Sequence, residues 1–256
     1  TSQAIRDPDA AIVPVARSPA QLVKEASDLG ANLVVSTYNE PLITAEWSVS
    51  IFKEARSAGL GTGFVSNGNA TPEVIEYLTP WLDLYKVDLK SFNDRHYRSL
   101  GGRLKPILDT ISDLYKAGIW LEIVTLLVPG FNDDACEIRD LTQFIAGICP
   151  EIPWHVTAFH KDYKMKGHAN TTSGMLSQAA VVGRESGLKF VYAGNLPGEV
   201  GDFEHTFCPN CGESVIERQG YQVLSYSLTA EGKCVNCGVN IPGRWASTPK
   251  RKSEPV

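Results

Sequence analysis

The sequence has no excess of positive charge: 24 Lys and Arg stand against 29 Asp and Glu, a net charge of -5 over 256 residues. A basic footprint for nucleic acid or an anionic membrane surface is therefore missing, and the single basic cluster, Lys250-Arg251-Lys252, is too small to supply one. No apolar run approaches the roughly 20 residues that cross a bilayer. The first residues, Thr-Ser-Gln-Ala-Ile-Arg, hold no apolar stretch of the signal-peptide kind. A soluble, cytoplasmic protein with no nucleic-acid or membrane partner is the expectation. Cysteine is scarce too, at six residues, which makes the placement of each one informative. What remains is an ordinary globular composition, 43% apolar and 21% charged, enough for one sizeable core and a small appendage.

Four of the six cysteines form two knuckles, Cys208-Pro209-Asn210-Cys211 and Cys234-Val235-Asn236-Cys237, each with a glycine directly after it. Between them runs an alternating stretch around 221–226 that reads as part of a hairpin. Two tight thiolate turns on a hairpin can put four sulfurs at the corners of a tetrahedron, as a structural zinc site requires. A pair of disulfides would use the same residues but suits an oxidising compartment. Iron, as a single ion or a cluster, takes the same ligands, so the metal is zinc or iron, with ligand type favouring zinc. Cys136 and Cys149 stand apart and read as small buried hydrophobes.

Upstream of the knuckles, short apolar runs alternate with amphipathic stretches. Ser18-Pro19 opens a helix that Gly30 stops, and residues 33–36 come next as a strand. Further helices are predicted over 44–58, from 71, over 93–99, 104–117, 133–146 and 173–185. Further strands are predicted over 63–66, 82–87, 119–128, 154–159 and 189–192. Strands separated by helices imply crossovers and a parallel sheet, and this number of units in about 200 residues suggests a closed or partly closed β/α barrel. In such folds the loops leaving the carboxyl ends of the strands share one face. Polar groups cluster at those predicted ends: Thr37-Tyr38-Asn39-Glu40-Pro41, Ser66-Asn67-Gly68-Asn69, Asp88-Leu89-Lys90 and Tyr192-Ala193-Gly194-Asn195. Trp154-His155 is the exception, near a strand start. Any one of these alone would be a turn, a solvated pair or a hydrogen-bonded core histidine. Their order along the chain is what points to one site.

Together with Val128-Pro129-Gly130-Phe131-Asn132-Asp133, Tyr163-Lys164-Met165 and Ile241-Pro242-Gly243-Arg244-Trp245, these motifs resemble a radical S-adenosylmethionine enzyme of the pyruvate formate-lyase-activating type. The added cysteine module narrows the resemblance to the radical enzyme of the AmmeMemoRadiSam system. The resemblance implies a partial (β/α)6 TIM-like barrel over 1–200 that lacks its first strand, a four-cysteine zinc-ribbon-like module over 201–246 and a disordered tail over 247–256. It implies S-adenosylmethionine and a [4Fe-4S] cluster as cofactors, reductive cleavage to a 5'-deoxyadenosyl radical, and hydrogen abstraction from a small-molecule or protein substrate. An electron donor and the other proteins of that gene cluster are the implied partners.

Carried over residue by residue, the resemblance makes Glu40 the acceptor for the cofactor's amine, beside Tyr38 and Asn39. Lys90 and His155 match contacts to the methionine carboxylate or ribose, with Asp88 beside Lys90. Ser66 and Asn67 match sugar contacts, and Asn195 an adenine contact. The family's Cys-x-x-x-Cys-x-x-Cys loop has no counterpart here. Thr1-Ser2-Gln3 resembles the stretch directly after that loop, so a truncation just downstream of the cluster site is expected. Such a chain would leave an unpaired strand edge and would not cleave the cofactor by itself. Two other classes use the same residues. One is a β/α-barrel lyase with Lys90 as a Schiff-base amine; the other is a non-catalytic zinc-ribbon scaffold.

Overall fold

The computed structural model describes residues 15–162 and 165–245; the Tyr163-Lys164 pair, residues 1–14 and residues 246–256, which include the expected tail, lie outside them. In chain order the elements are α1 (Pro19–Asp28), β1 (Leu33–Ser36), α2 (Ala45–Ser57), β2 (Gly61–Ser66), α3 (Pro72–Leu78), β3 (Leu84–Asp88), α4 (Asp94–Ser99), α5 (Leu104–Lys116), β4 (Trp120–Leu127), α6 (Ala135–Ile148), β5 (Trp154–Ala158), α7 (Ser173–Glu185) and β6 (Val191–Gly194). A second set of strands comes after them, β7 (Thr206–Phe207), β8 (Ser214–Gln219) and β9 (Gln222–Tyr226).

Local chemistry sets the helix starts. Ser18 caps α1 with a reciprocal capping box, its Oγ accepting from the Gln21 N–H while Gln21 Oε1 accepts from the Ser18 N–H. Thr71, Asp134 and Thr172 cap α3, α6 and α7 in the same sense.

Strands β1 to β6 pair in sequential order and all in parallel, with helices in every crossover. Along β3, β4, β5 and β6 burial alternates residue by residue, because successive side chains point to opposite faces. One face lies under the helices: Phe64, Tyr85, Val87, Ile123, Trp154 and Val156 pack there with Phe52, Ile111, Ile145 and Leu176, all nearly inaccessible. Each large side chain so buried contributes roughly 1.5–3 kcal/mol. The other face carries Lys86, Asp88, Glu122, His155, Thr157 and Tyr192, all half-exposed. Among the described residues β1 and β6 are the sheet edges, and the open-face residues of β1, Leu33 and Val35, are exposed.

The strands start out of step. Leu84 and Trp120 open β3 and β4 side by side, whereas β5 opens with Trp154 opposite Ile123, three residues along β4. Such stagger is what tilted strands in a curved sheet require. It sets His155, the second residue of β5, opposite Val124, which itself lies opposite Asp88 at the end of β3.

The last three strands form a separate antiparallel sheet. Its small core gathers Val215, Ile216, Leu228, Ile241, Cys208 and Cys234, and is completed by Phe190 from the lead-in to β6. No helix of the described residues is long and apolar enough to cross a membrane.

Candidate functional site

The carboxyl ends of β1, β2, β3 and β6 carry the first group of polar residues. After β1 the chain passes through Tyr38, a non-glycine residue at φ 42, into Glu40, which caps the 3-10 turn Pro41–Thr44. Glu40 Oε1 accepts from the Leu42 N–H at 3.2 Å and from Ser66 Oγ at 2.7 Å, and Oε2 accepts from the Asn67 N–H at 2.8 Å. One carboxylate thus ties the β1 loop to the end of β2. Two oxygens offer about four lone-pair positions, so the three donors leave Oε2 able to accept one more. Ser66 Oγ also takes the Gly68 N–H at 3.0 Å, and Asn67 Oδ1 takes the Asn69 N–H at 2.8 Å. These are the turns that read as Asx chemistry in the sequence. Tyr38 and Asn39 themselves are exposed.

At the end of β3, Asp88 lies between two ammonium groups: Lys86 Nζ is 3.0 Å from Oδ1, and Lys90 Nζ donates to Oδ2 at 3.1 Å. The Lys90 backbone is clamped on both sides. Its N–H donates to Tyr97 Oη at 3.0 Å, and its carbonyl accepts from Asn132 Nδ2 at 2.7 Å. Burial pushes the Tyr97 phenol up to about 12, so that hydroxyl stays protonated. Asn132 is buried and uses both ends of its amide, donating also to the Leu126 carbonyl at 2.9 Å and accepting from the Val128 N–H at 2.7 Å. The next residue, Ser91, is held by Glu137 and by His96 Nδ1. At the end of β6, Asn195 adopts φ 67 and donates Nδ2 to the Ala158 carbonyl at 3.2 Å. Tyr38 and Asn195 are the non-glycine residues of positive φ among the described residues, and both sit at strand ends, where strained backbone tends to mark a working site.

His155 does not join this group. On the open face, its Nε2 pairs with Glu122 Oε2 at 2.8 Å and its ring stacks on Tyr192, centroids 5.0 Å apart. Burial alone would raise the Glu122 carboxyl. The hydrogen bond and charge of His155, the Trp120 indole and the Arg218 guanidinium outweigh that and hold it below its ordinary value. Glu122 is not among the residues that the sequence singles out. Its signal is present there all the same, as a charged residue on the inward beat of an apolar strand run.

The four cysteines converge as the knuckle spacing implied. Cys208 and Cys237 Sγ are 3.5 Å apart, Cys211 and Cys234 Sγ 3.8 Å, and all four sulfurs lie within 4.8 Å of one another. Bonds of ~2.3 Å to one tetrahedral ion would separate sulfurs by about 3.8 Å, so the donor set fits a single ion. The two knuckles are built alike. The N–H of Cys208 bonds to the Glu213 carbonyl and that of Cys234 to the Val239 carbonyl, while Gly212 and Gly238 return an N–H to the first cysteine of each knuckle. Both glycines are at positive φ, 76 and 74, which a Cβ would disfavour. The Val239 N–H and the Asn210 side chain draw Cys237 down to about 6, favouring the thiolate a metal needs. Cys136, read from the sequence as buried, is exposed in the first turn of α6, and Cys149 is half-buried at its end.

The chain matches the Radical SAM superfamily over residues 5–142. It is 32% identical over 226 residues to the protein of Methanocaldococcus jannaschii named uncharacterized protein MJ0808, a match covering 88% of this chain and 67% of that one. It is 29% identical over 147 residues to the pyruvate formate-lyase-activating enzyme of Staphylococcus aureus, covering 52% of this chain and 57% of the enzyme, so the chain spans little more than half of that relative. Among solved structures, a domain of the pyruvate-formate lyase-activating enzyme from Bacteroides vulgatus superposes with a TM-score of 0.57 at 21% identity, covering 63% of this chain and 98% of that domain. At that identity the likeness is one of fold.

Proposed function

The chain belongs to the radical SAM superfamily, and on that premise we propose that residues 15–200 form the S-adenosylmethionine-binding part of an activating-enzyme-like radical enzyme, a partial β/α barrel of the AmmeMemoRadiSam type. The observation that carries the reading is the Glu40 carboxylate, held at the strand ends by three donors with one acceptor position to spare. An ammonium group suits that position. Glu40 would take the amine of the methionine end, Lys90 its carboxylate, Ser66 and Asn67 the sugar, and Asn195 the adenine, with Asp88 setting the Lys90 ammonium. Tyr38 and Asn39 form the backbone that carries Glu40 there. When bound, the sulfonium nucleoside supplies a cleavable sulfur–carbon bond and hence hydrogen-abstraction chemistry.

The residues present do not fit the iron–sulfur cluster. A cubane of this family needs three thiolates converging on one site, and outside the four-cysteine group the 256 residues hold only Cys136 and Cys149, at opposite ends of α6. On this reading these 256 residues alone would bind the nucleoside without cleaving it. The Schiff-base alternative is disfavoured because the Lys90 side chain is 44% exposed and ion-paired with Asp88, where a nucleophilic amine is better desolvated. Zinc is the proposed ion of the four-cysteine site, whose core depends on residues too few to fold without a staple.

Calorimetric titration of S-adenosylmethionine into the chain tests the reading. Glu40→Gln should weaken binding at least tenfold, the loss of one charge-assisted hydrogen bond, with the far-UV spectrum unchanged. Saturable binding that ignores Glu40→Gln, or no binding at all, overturns it. Under reducing conditions the same sample should yield no 5'-deoxyadenosine.

A further inference from the structure

We propose that the cavity between the open face of the sheet and the four-cysteine module is a second ligand site, built for a planar aromatic anion. The cavity holds about 1220 Å³, larger than most small-molecule sites. Its sheet side is formed by Lys86, Trp120, His155 and Tyr192, its module side by Arg218, Arg244 and Trp245. Trp120, Tyr192 and Trp245 offer the flat apolar surface that aromatic ligands stack on.

A count of donors and acceptors gives the sign of the ligand. The wall holds three carboxylates, Glu122, Glu204 and Glu231, the first two of them hydrogen-bonded within the fold. Glu122 accepts from His155 Nε2 and from Trp120 Nε1. Glu204 accepts from the N–H groups of Gly198 and Gly220 at 3.2 and 3.3 Å. Hydrogen bonding by Thr229 holds the Glu231 carboxyl below its ordinary value. The donors are under-used. Arg218 spends Nη1 on Thr206 Oγ1 and the Glu204 carbonyl, leaving its other N–H groups. Arg244 makes no hydrogen bond or ion pair among the described residues. The unspent donors of the wall are therefore those of the Arg218 and Arg244 guanidinium groups, which fit a carboxylate or sulfonate head.

The wall is also braced across the two sheets. Tyr192 Oη and Arg218 Nη1 both bond to Thr206 Oγ1, at 2.9 and 2.8 Å. Through the stacked His155 ring this line of contacts reaches Glu122. Trp245 is fixed as well: its Nε1 donates to the Ile241 carbonyl at 2.8 Å, and its ring lies over Gly232 and Gly243, where any Cβ would collide with it. The Arg244-Trp245 pair, which the cofactor reading leaves without a role, thus has one here.

The test uses the intact chain and the dye 8-anilinonaphthalene-1-sulfonate, an aromatic anion, monitored by fluorescence. One saturable site is expected. Arg244→Ala should weaken it about tenfold, while Arg95→Ala, exposed on α4, leaves it unchanged. The uncharged N-phenyl-1-naphthylamine should bind at least tenfold more weakly. Arg244 makes no hydrogen bond or ion pair among the described residues, so its variant should retain the structure and decides the matter. Non-saturable binding, an Arg244→Ala variant that binds like the parent, or equal affinity for the neutral dye overturns the proposal. Asn195, the proposed adenine contact, also lines this cavity, but Glu40 and Lys90 do not, so the Arg244→Ala result reports on this site and the Glu40→Gln result on the cofactor reading.

Discussion

Asn132 shows how much a single side chain can fix. Three short hydrogen bonds from one buried amide lock the end of β3, the end of β4 and the turn after it. Asn132→Ala would strand two carbonyls and an N–H away from water, at a cost of about 3 kcal/mol, and chemical denaturation should register it as a lower midpoint with an unchanged slope. Glu122 gives a pH-dependent counterpart. Its carboxyl is depressed in the folded state, so the stabilisation it provides is complete above the ordinary value of 4.5 and is lost as pH falls through the lowered folded value. Urea midpoints of the parent and of Glu122→Gln should differ at about pH 7 and converge towards about pH 3. Neither residue can be assigned its role from sequence. Asn132 is visible there only as part of a motif, and the partner of Glu122, His155, is 33 positions away and becomes a neighbour only through the stagger of β4 against β5.

At the level of elements, the alternation of strands and helices is legible because period-2 and period-3.6 patterns differ strongly. Helix α7 coincides with its expected 173–185, since Thr172 caps it at one end and Gly187, at φ 100, ends it at the other. Strand β6 runs Val191–Gly194 rather than 189–192. Lys189 and Phe190 are drawn off to pair with the Pro150 carbonyl and the Trp154 N–H before the ladder begins, and no local pattern announces that. A substitution in α7 separates propensity from packing. Gly183→Ala should gain about 1 kcal/mol of helix propensity. The added methyl, however, would sit 2.8 Å from the Trp154 ring, which is fully buried and hydrogen-bonded to Thr125 at 3.0 Å. Overpacking against a fixed indole costs roughly 1–3 kcal/mol, so the variant should melt lower than the parent despite its better helix former.

For the molecule as a whole, the proposed ion of the four-cysteine site would staple the second sheet. Chelation should release one ion per chain, quantifiable with a chromophoric indicator, and should abolish the near-ultraviolet dichroism of Tyr226 and Trp245, which pack edge to face at 6.4 Å. The signal of Trp154, 0% exposed in the main core, should persist. Cys211→Ser should reproduce the chelated spectrum. The knuckles are legible in the sequence because their spacing is local and their chemistry leaves few alternatives. The junction between the two sheets is not, because it rests on contacts such as Tyr192 with Thr206 and Arg218 that join residues with no shared periodicity.

The place of Phe190 in the smaller core carries a practical corollary. Dividing the polypeptide near position 200, where composition invites a cut, would leave the front piece presenting a bare phenyl ring to solvent and the back piece with a hole of the same shape. Each half, expressed alone, should self-associate, and replacing that ring by serine in the front piece should restore its solubility.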